Sequence, residues 1–147
     1  MDDSNAPLTS TLDLFRWVGW ALMNAGEAWI RERELSHAQS FVLGYLVQNP
    51  GAIQRDIAKA SRTTAASVSS LLQGLEAREL IERRSEAGNE RSKNVYATAA
   101  GAELISGFEA AMAATEELIL APLDKTEQAT LHDLLTKITT ELPRPTR

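Results

Sequence analysis

Apolar residues recur at helical spacing through the first part of the chain. From about Leu8 to Arg33 they stand three, four or seven positions apart, which predicts one face of a helix. That face consists of Leu8, Phe15, Val18, Leu22, Ala25 and Trp29. Trp17 and Trp20 lie elsewhere on the wheel, so the stretch from Leu14 to Leu22 is apolar nearly all round. Such a helix needs cover on several sides, and we expect a second subunit to supply it, the alternative being a central helix in a larger monomeric core.

The middle of the chain predicts a helix-turn-helix. A capping-box pattern begins a helix at Ser36, and a Pro-Gly pair ends it at residues 50–51. A short helix over about 53–60 and a second over about 64–79 are separated by three residues, which allow only a tight turn. The second helix has a buried face formed by Val68, Leu71, Leu72 and Leu75.

Two short strands around a polar, Gly-containing tip follow Ile81 and predict a β-hairpin. We expect Thr98 to cap one long helix that Pro122 interrupts, and Asp124 to cap the last helix. The fold class is therefore mainly α with a small β-hairpin wing, in a single domain over 1–147. The winged helix-turn-helix covers 36–97, and the flanking dimerisation helices cover 8–33 and 98–142.

Several motifs in this middle segment point to a known family. They are Arg55-Asp56-Ile57-Ala58, Thr64 to Ser69, Leu75 to Arg83, and Thr98-Ala99-Ala100-Gly101 after the hairpin. Together they resemble, without a gap, the MarR-type bacterial transcriptional regulators. Asn89-x-Arg91 falls on the Asp-x-Arg wing motif of that family. The resemblance extends to the whole chain in element order and to residues 50–101 in detail, and it implies a homodimeric winged helix-turn-helix that binds DNA.

Three positions depart from the family pattern. The family usually has Gly where Glu79 stands, Asp where Asn89 stands, and a Ser or Thr cap where Ile53 stands. In relatives the wing Asp helps to hold the neighbouring Arg through a charged pair. Asn89 still accepts a hydrogen bond but carries no charge, so we expect it to restrain Arg91 less strongly.

The predicted recognition helix has no charged residue between Thr63 and Leu75. Its outward face consists of Thr64, Ala66, Ser67, Ser69, Ser70 and Gln73. Small side chains permit close approach to the major groove, hydroxyl groups can bind bases or phosphates, and Gln73 can pair with adenine. The alternative is a solvated helix rich in Ala and Ser, although solvated helices usually carry Glu and Lys.

Charge is distributed unevenly. The chain of 147 residues has a net charge of −5, but residues 54–93 carry eight Lys or Arg against six Asp or Glu, a local surplus of +2. This surplus favours a DNA-facing segment between acidic flanking helices. We expect phosphate contacts from Gln54, Arg62, Arg83, Arg84, Arg91 and Lys93. The double-stranded operator should be pseudo-palindromic, because a two-fold dimer imposes its symmetry on the site.

Family members often release DNA when a small aromatic or phenolic ligand binds between the dimerisation helices and the winged helix. The candidate effector-binding residues here are Trp17, Trp20, His37, Phe41 and Tyr45. An aromatic cleft with a few polar groups suits such a ligand. The alternative is an ordinary core, since aromatic residues at helical spacing usually pack inside the protein, and His37 beside a helix cap has the position of a surface residue.

Composition excludes several other classes of function. The absence of Cys removes thiolate metal sites and cysteine redox sensing, and we expect no cofactor and no metal. Neither a Gly-rich phosphate loop nor a Gly-x-Ser-x-Gly setting is present, so an enzyme is not expected. An acidic N-terminus and the lack of a long apolar run predict a cytoplasmic protein without membrane contact. The rival hypothesis is a winged-helix module or anti-regulator that binds protein instead of DNA.

Overall fold

A computed structural model describes residues 10–86 and 88–144, and for residues 89–92 it describes the backbone alone. The elements are α1 (Thr11–Glu32), α2 (His37–Gln48), β1 (Ala52–Ile53), α3 (Gln54–Ser61), α4 (Ala65–Ala77), β2 (Ile81–Glu86), β3 (Asn89–Ala97), α5 (Ala99–Ile105), α6 (Phe108–Leu120) and α7 (Lys125–Thr139). The predicted fold class, mainly helical with a small hairpin, is confirmed. Within the described ranges no helix is both long enough and apolar enough to cross a membrane.

Most helices begin where the sequence places a capping side chain. Each cap accepts a hydrogen bond from the backbone N–H three residues later, as seen at Ser10, Ser36, Thr64, Thr98 and Asp124. The predicted capping box of α2 is complete, and α7 has a second one between Asp124 and Glu127. The predicted start of the first helix at Leu8 lies outside the described residues. Ile53 precedes α3 without any side-chain cap bond, which is the structural result of the missing Ser or Thr.

The sheet has one strand more than the predicted hairpin. Its order is β1-β3-β2 with antiparallel pairing throughout, and Ala52 of β1 lies opposite Val95 of β3. β1 has only two residues, so it offers no alternation of polar and apolar side chains for a sequence pattern to detect. This strand joins the N-terminus of α3 to the base of the wing.

The prediction of one long helix from Thr98 to Pro122 is wrong. The helix is broken at Ser106 and Gly107, and Gly107 has a positive φ of 86° that only glycine adopts readily. Beyond the break, the Phe108 ring packs edge-on against Trp29 of α1, with 5.2 Å between the ring centroids. The break therefore directs α6 along α1.

The buried core belongs almost entirely to the winged-helix segment. It consists of Ile30, Leu35, Val42, Leu43, Leu46, Ile57, Val68, Leu72, Leu75, Leu80, Ile81 and Val95. Gly101 closes this core, because a Cβ atom there would lie 2.0 Å from the backbone oxygen of Leu80. The glycine of the Thr-x-x-Gly motif is thus required by close backbone approach.

The helices outside this segment expose their apolar residues. α6 and α7, which are described over their full length, contain no buried residue. The large exposed hydrophobic side chains outside the winged helix are Leu12, Leu14, Phe15, Trp17, Val18, Trp20, Leu22, Met23, Leu118, Leu134, Leu135, Ile138 and Leu142. In a single protomer these side chains face solvent.

Candidate nucleic-acid interface

The recognition helix α4 has two distinct faces. Val68, Leu72 and Leu75 are fully buried and hold it against the core. On the other side, five of the six predicted contact residues are exposed: the N-cap Thr64, and Ala66, Ser67, Ser70 and Gln73. Ser69, which belonged to the same predicted face, is only partly exposed and lies at its border. The exposed face is neutral and, apart from Gln73, built from short side chains, which permit close approach to the major groove.

Hydrogen bonds fix the N-terminal end of this helix. The Thr64 hydroxyl accepts a bond from the backbone N–H of Ser67 at 3.1 Å and donates to the Ser67 hydroxyl at 2.9 Å. The Gln54 side chain donates from Nε2 to the backbone oxygen of Ala65 at 3.0 Å. Gln54 therefore joins the start of α3 to the start of α4. The start of α3, where a phosphate contact near Gln54 was predicted, therefore lies beside the start of the recognition helix.

The turn between α3 and α4 is as tight as its three residues predict. Arg62 adopts a left-handed conformation with φ of 52°, and its N–H donates to the Lys59 oxygen. The N–H of Thr63 donates to the Ala58 oxygen at 3.1 Å, which completes a Schellman-type helix end. The Arg62 side chain is exposed beside the recognition helix.

The wing consists of β2 and β3, with Gly88 in a positive-φ conformation at its tip. The guanidinium of Arg84 lies 4.6 Å from the centre of the Tyr96 ring and forms an ion pair with Glu82. Lys93 is exposed and lies opposite Ser85. The side chains of Asn89 and Arg91, which carry the predicted wing motif, lie outside the described residues.

Arg83 differs from the open phosphate contact that the sequence led us to expect. Its side chain is only 19% exposed, and its Nε atom lies 2.8 Å from Oε2 of Glu76, although the N–H is not aligned for a hydrogen bond. Glu76 belongs to the last turn of α4, so this ion pair connects the base of the wing to the recognition helix. Of the predicted cations, Arg83 is placed to support the interface more than to contact DNA.

The end of α4 explains one departure from the family pattern. Glu79 adopts a left-handed conformation with φ of 57°, a geometry that glycine accepts without steric cost. Its N–H donates to Glu76 and that of Leu80 donates to Leu75, which is a Schellman motif. The glycine usual in the family would fit this position directly.

Arg78 is a residue that sequence reasoning missed. Its guanidinium donates from Nη1 to the backbone oxygen of Glu34 at 2.7 Å and from Nη2 to that of Arg33 at 3.2 Å. These bonds connect the recognition helix to the end of α1. The partners lie more than forty positions away in the chain, so no local pattern announces them.

The five candidate effector residues are divided between two environments. Phe41 and Tyr45 are partly buried and stacked, with 6.4 Å between their ring centroids. Trp17 and Trp20 expose 55% and 57% of their surfaces, and His37 is exposed at the start of α2. The other aromatic contact of the described residues, Trp29 with Phe108, was not among the candidates. An exposed tryptophan pair is available to a ligand or to a second protein surface.

Comparison with known proteins places this geometry in a family. The model of the MarR family matches residues 34–92. Among solved structures, MepR, a transcription regulator of the Staphylococcus aureus multidrug efflux pump MepA, is 30% identical with a TM-score of 0.81. That alignment covers 91% of this chain and 99% of MepR. No protein with a curated description matches the chain.

Two further forms of MepR match as well. The S. aureus MepR–DNA complex is 31% identical with a TM-score of 0.75, over 88% of this chain and 98% of that one. S. aureus MepR bound to ethidium bromide is 29% identical with a TM-score of 0.69, over 94% and 100%. The likeness to MepR spans nearly the whole relative, and the exposed neutral helix with the wing beside it fits the same fold. The chain therefore belongs to the MarR family of DNA-binding transcriptional regulators, which are not enzymes.

Proposed function

We propose that this protein is a homodimeric repressor that binds a pseudo-palindromic operator through one recognition helix and one wing per subunit. The observation that carries the proposal is the exposed neutral face of α4, formed by Ala66, Ser67, Ser70 and Gln73. Short side chains let the helix backbone approach the base edges, and Gln73 supplies the amide that pairs with adenine. The S. aureus relative forms a complex with DNA, which supports the same use of this helix here.

The homodimer is supported by the apolar side chains that α1, α6 and α7, here called the arms, leave uncovered. α1, α6 and α7 together expose a set of Leu, Ile, Val, Phe and Trp residues far larger than the scattered apolar residues of a monomeric surface. Obligate interfaces are large and apolar and resemble a core divided between two chains. A second copy of the chain offers the same residues and therefore covers them by two-fold symmetry.

Operator recognition is tested by selecting bound sequences from a random duplex pool and comparing the wild type with Arg91→Ala. The wing arginine should read the width and potential of the minor groove, so A/T-rich flanks should bind best. Its removal should weaken operator binding by about 1–3 kcal/mol, measured by fluorescence anisotropy on one selected duplex. Arg31→Ala, which removes an exposed arginine from the end of α1, is the matched control and should leave affinity unchanged.

A salt titration separates the possible outcomes. A loss confined to the operator indicates a specific contact, whereas an equal loss on all sequences with a salt slope lower by about one indicates a phosphate contact. Unchanged affinity of Arg91→Ala at every salt concentration removes the wing from the mechanism. If the wild type selects no sequence and shows no salt-dependent binding to random DNA, the protein is the winged-helix protein-interaction module or anti-regulator of the rival hypothesis.

Release by a small aromatic ligand is the second part of the proposal. Trp17 and Trp20, beside the proposed dimer interface, and the Phe41–Tyr45 stack provide flat surfaces for a planar molecule. The S. aureus relative binds ethidium, a planar aromatic cation. Titration with a planar aromatic cation and with an aromatic acid should quench tryptophan fluorescence and weaken operator binding. Coupling between two sites is reciprocal, so operator DNA must weaken ligand binding by the same factor. Binding without any change in DNA affinity contradicts this part alone.

A further inference from the structure

The last turn of the recognition helix and the two residues after its cap, Glu76 to Leu80, form a junction where three other elements meet. We call these five residues the helix junction. Arg83 of β2 forms an ion pair with Glu76 of the junction, and Thr98 at the start of α5 donates to the Glu79 oxygen. Arg78 of the junction donates to the carbonyl groups of Glu34 and Arg33, which follow α1. α1 and α5 lead into the two halves of the dimerisation arms. The recognition helix is therefore connected to both parts of the arms at this place.

The connection between the helix junction and α5 involves the backbone directly. The Thr98 hydroxyl donates to the Glu79 oxygen at 2.7 Å, and the Thr98 N–H donates to the Leu80 oxygen at 3.0 Å. Gly101 packs so closely that a Cβ atom would meet the Leu80 oxygen at 2.0 Å. The start of α5 is thus fixed to the helix junction whatever side chain stands at position 78.

The connection to α1 rests on the side chain of Arg78. Its two bonds go to the carbonyl groups of Arg33 and Glu34, immediately after the last residue of α1. Carbonyl groups at a helix C-terminus lack partners in the helix and carry partial negative charge, so a guanidinium group is well suited to bind them. Because the planar guanidinium donates in two fixed directions, it restrains an angle as well as a distance.

The α1 end that Arg78 holds is itself fixed to α6. The Arg33 guanidinium lies 3.3 Å from the centre of the Trp29 ring and donates from Nη1 to the Trp29 oxygen at 2.9 Å. The Trp29 ring in turn packs edge-on against Phe108 of α6. A continuous set of contacts therefore leads from the dimerisation helices to the recognition helix, with Arg78 as its exposed member.

We propose that Arg78 is a positioning residue that sets the spacing between the two half-sites this regulator accepts. The inference rests on the proposed homodimer and its two-fold operator. In such a complex the angle between α1 and α4 determines the distance between the two recognition helices, and a dimer accepts only half-sites at the matching separation along the duplex. When the bonds to Arg33 and Glu34 are removed, each recognition helix gains angular freedom and the dimer tolerates a wider range of spacings.

The test uses the full-length protein and a panel of duplexes in which the selected half-sites are kept and their separation is changed by one or two base pairs. The wild type should bind the selected spacing best. Arg78→Gln should reduce the preference for that spacing over its neighbours by about 2- to 30-fold, the range found when a residue that couples two parts of a protein is changed. Arg78→Lys keeps the charge but not the planar fork, so it should restore the preference only in part.

Two controls distinguish a positioning role of Arg78 from the mere loss of its positive charge. Arg31→Gln removes the same charge from an exposed arginine at the end of α1 and should leave spacing preference unchanged. The salt slope of Arg78→Gln should equal that of the wild type, since a positioning residue contacts no phosphate. A slope lower by about one together with an unchanged spacing preference overturns the inference and makes Arg78 a phosphate contact.

The two levels of the proposal fail in different ways. If the wild type binds no two-half-site duplex, the proposed function is wrong. If the wild type has a sharp spacing preference and Arg78→Gln keeps it in full, the operator proposal stands and the role of Arg78 is wrong. Circular dichroism of each variant checks the fold, which an exposed side chain at position 78 should not determine.

Discussion

The winged-helix segment and the helical arms have similar sequence patterns but bury their apolar residues very differently. Every large apolar residue of the core lies between Ile30 and Val95, and several of them are wholly inaccessible to solvent. The arms have equally regular apolar stripes, yet Leu118 of α6 is 77% exposed and no residue of α6 or α7 is buried. An apolar stripe therefore predicts that a surface will be covered, but it does not predict by which chain.

A charge placed on the apolar surface of the arms should have the largest effect of the changes considered, on both dimer affinity and operator binding. Leu118→Arg places a charge in the proposed interface, and two-fold symmetry places it there twice. We expect the dimer to weaken by about 3 kcal/mol or more, the cost of losing a well-buried interface anchor, and operator binding to be lost with it. Sedimentation velocity over a range of protein concentrations measures the change. Glu117→Arg, at the neighbouring exposed position, should leave the dimer intact.

The same variant sharpens the comparison between the two regions. If the winged helix is complete in one chain, circular dichroism of Leu118→Arg should keep the signal of α2, α3 and α4 when the dimer dissociates. Complete unfolding on dissociation would show that the buried core also depends on the second subunit. A dimer of unchanged affinity would show instead that α6 is not part of the interface.

Disrupting the winged helix at its connection to the arms should have the next largest effect. Gly101→Ala brings a methyl group to 2.0 Å from the Leu80 oxygen, so the backbone must move and the Thr98–Leu80 hydrogen bond is strained. We expect a loss of about 3 kcal/mol in the free energy of unfolding, measured with urea. Gly44→Ala is the matched control, because nothing lies within 4 Å of its Cβ position, and it should stabilise α2 by about 0.5–1 kcal/mol.

At the helix junction we expect a smaller change in the free energy of unfolding, and in the stabilising direction. Glu79 has a left-handed backbone conformation that disfavours any side chain, and Glu79→Gly removes this strain. We expect the free energy of unfolding to rise by about 1 kcal/mol. Ala77→Gly, at the last residue of α4, where the backbone is still helical, should lower it by up to about 1 kcal/mol. Equal losses in the two variants would contradict the assignment of strain to position 79.

The parts of the fold that were predicted from sequence depend on local signals. The cap at Ser36, the stop at Pro50-Gly51 and the buried face of α4 are each encoded within a few residues, and the structure confirms all three. The wing could be placed by its Gly-containing tip, but β1 could not, since two residues acquire strand geometry only by pairing with β3. The break at Gly107 was missed because an isolated glycine in a helical pattern is usually tolerated.

In the candidate site, too, the features encoded locally were predicted and those that depend on distant partners were not. The exposed face of α4 followed from helical periodicity, because its members lie opposite a buried stripe. The roles of Arg83 and Arg78 depend on partners in other elements, Glu76 in one case and the carbonyl groups after α1 in the other. A count of arginines gives the charge of a surface, but only the packing of the elements shows which arginines are already engaged.

The absence of charge from the outward face of α4 has a consequence for how the protein discriminates between sequences. In the proposed complex, the groups that neutralise phosphates lie in the turn and the wing, while base edges in the major groove meet only neutral side chains. Added salt should then weaken the operator and random DNA by nearly the same factor, because counterion release does not depend on sequence. The ratio of the two affinities, which determines how well an operator competes with the rest of a genome, should stay almost constant as ionic strength changes.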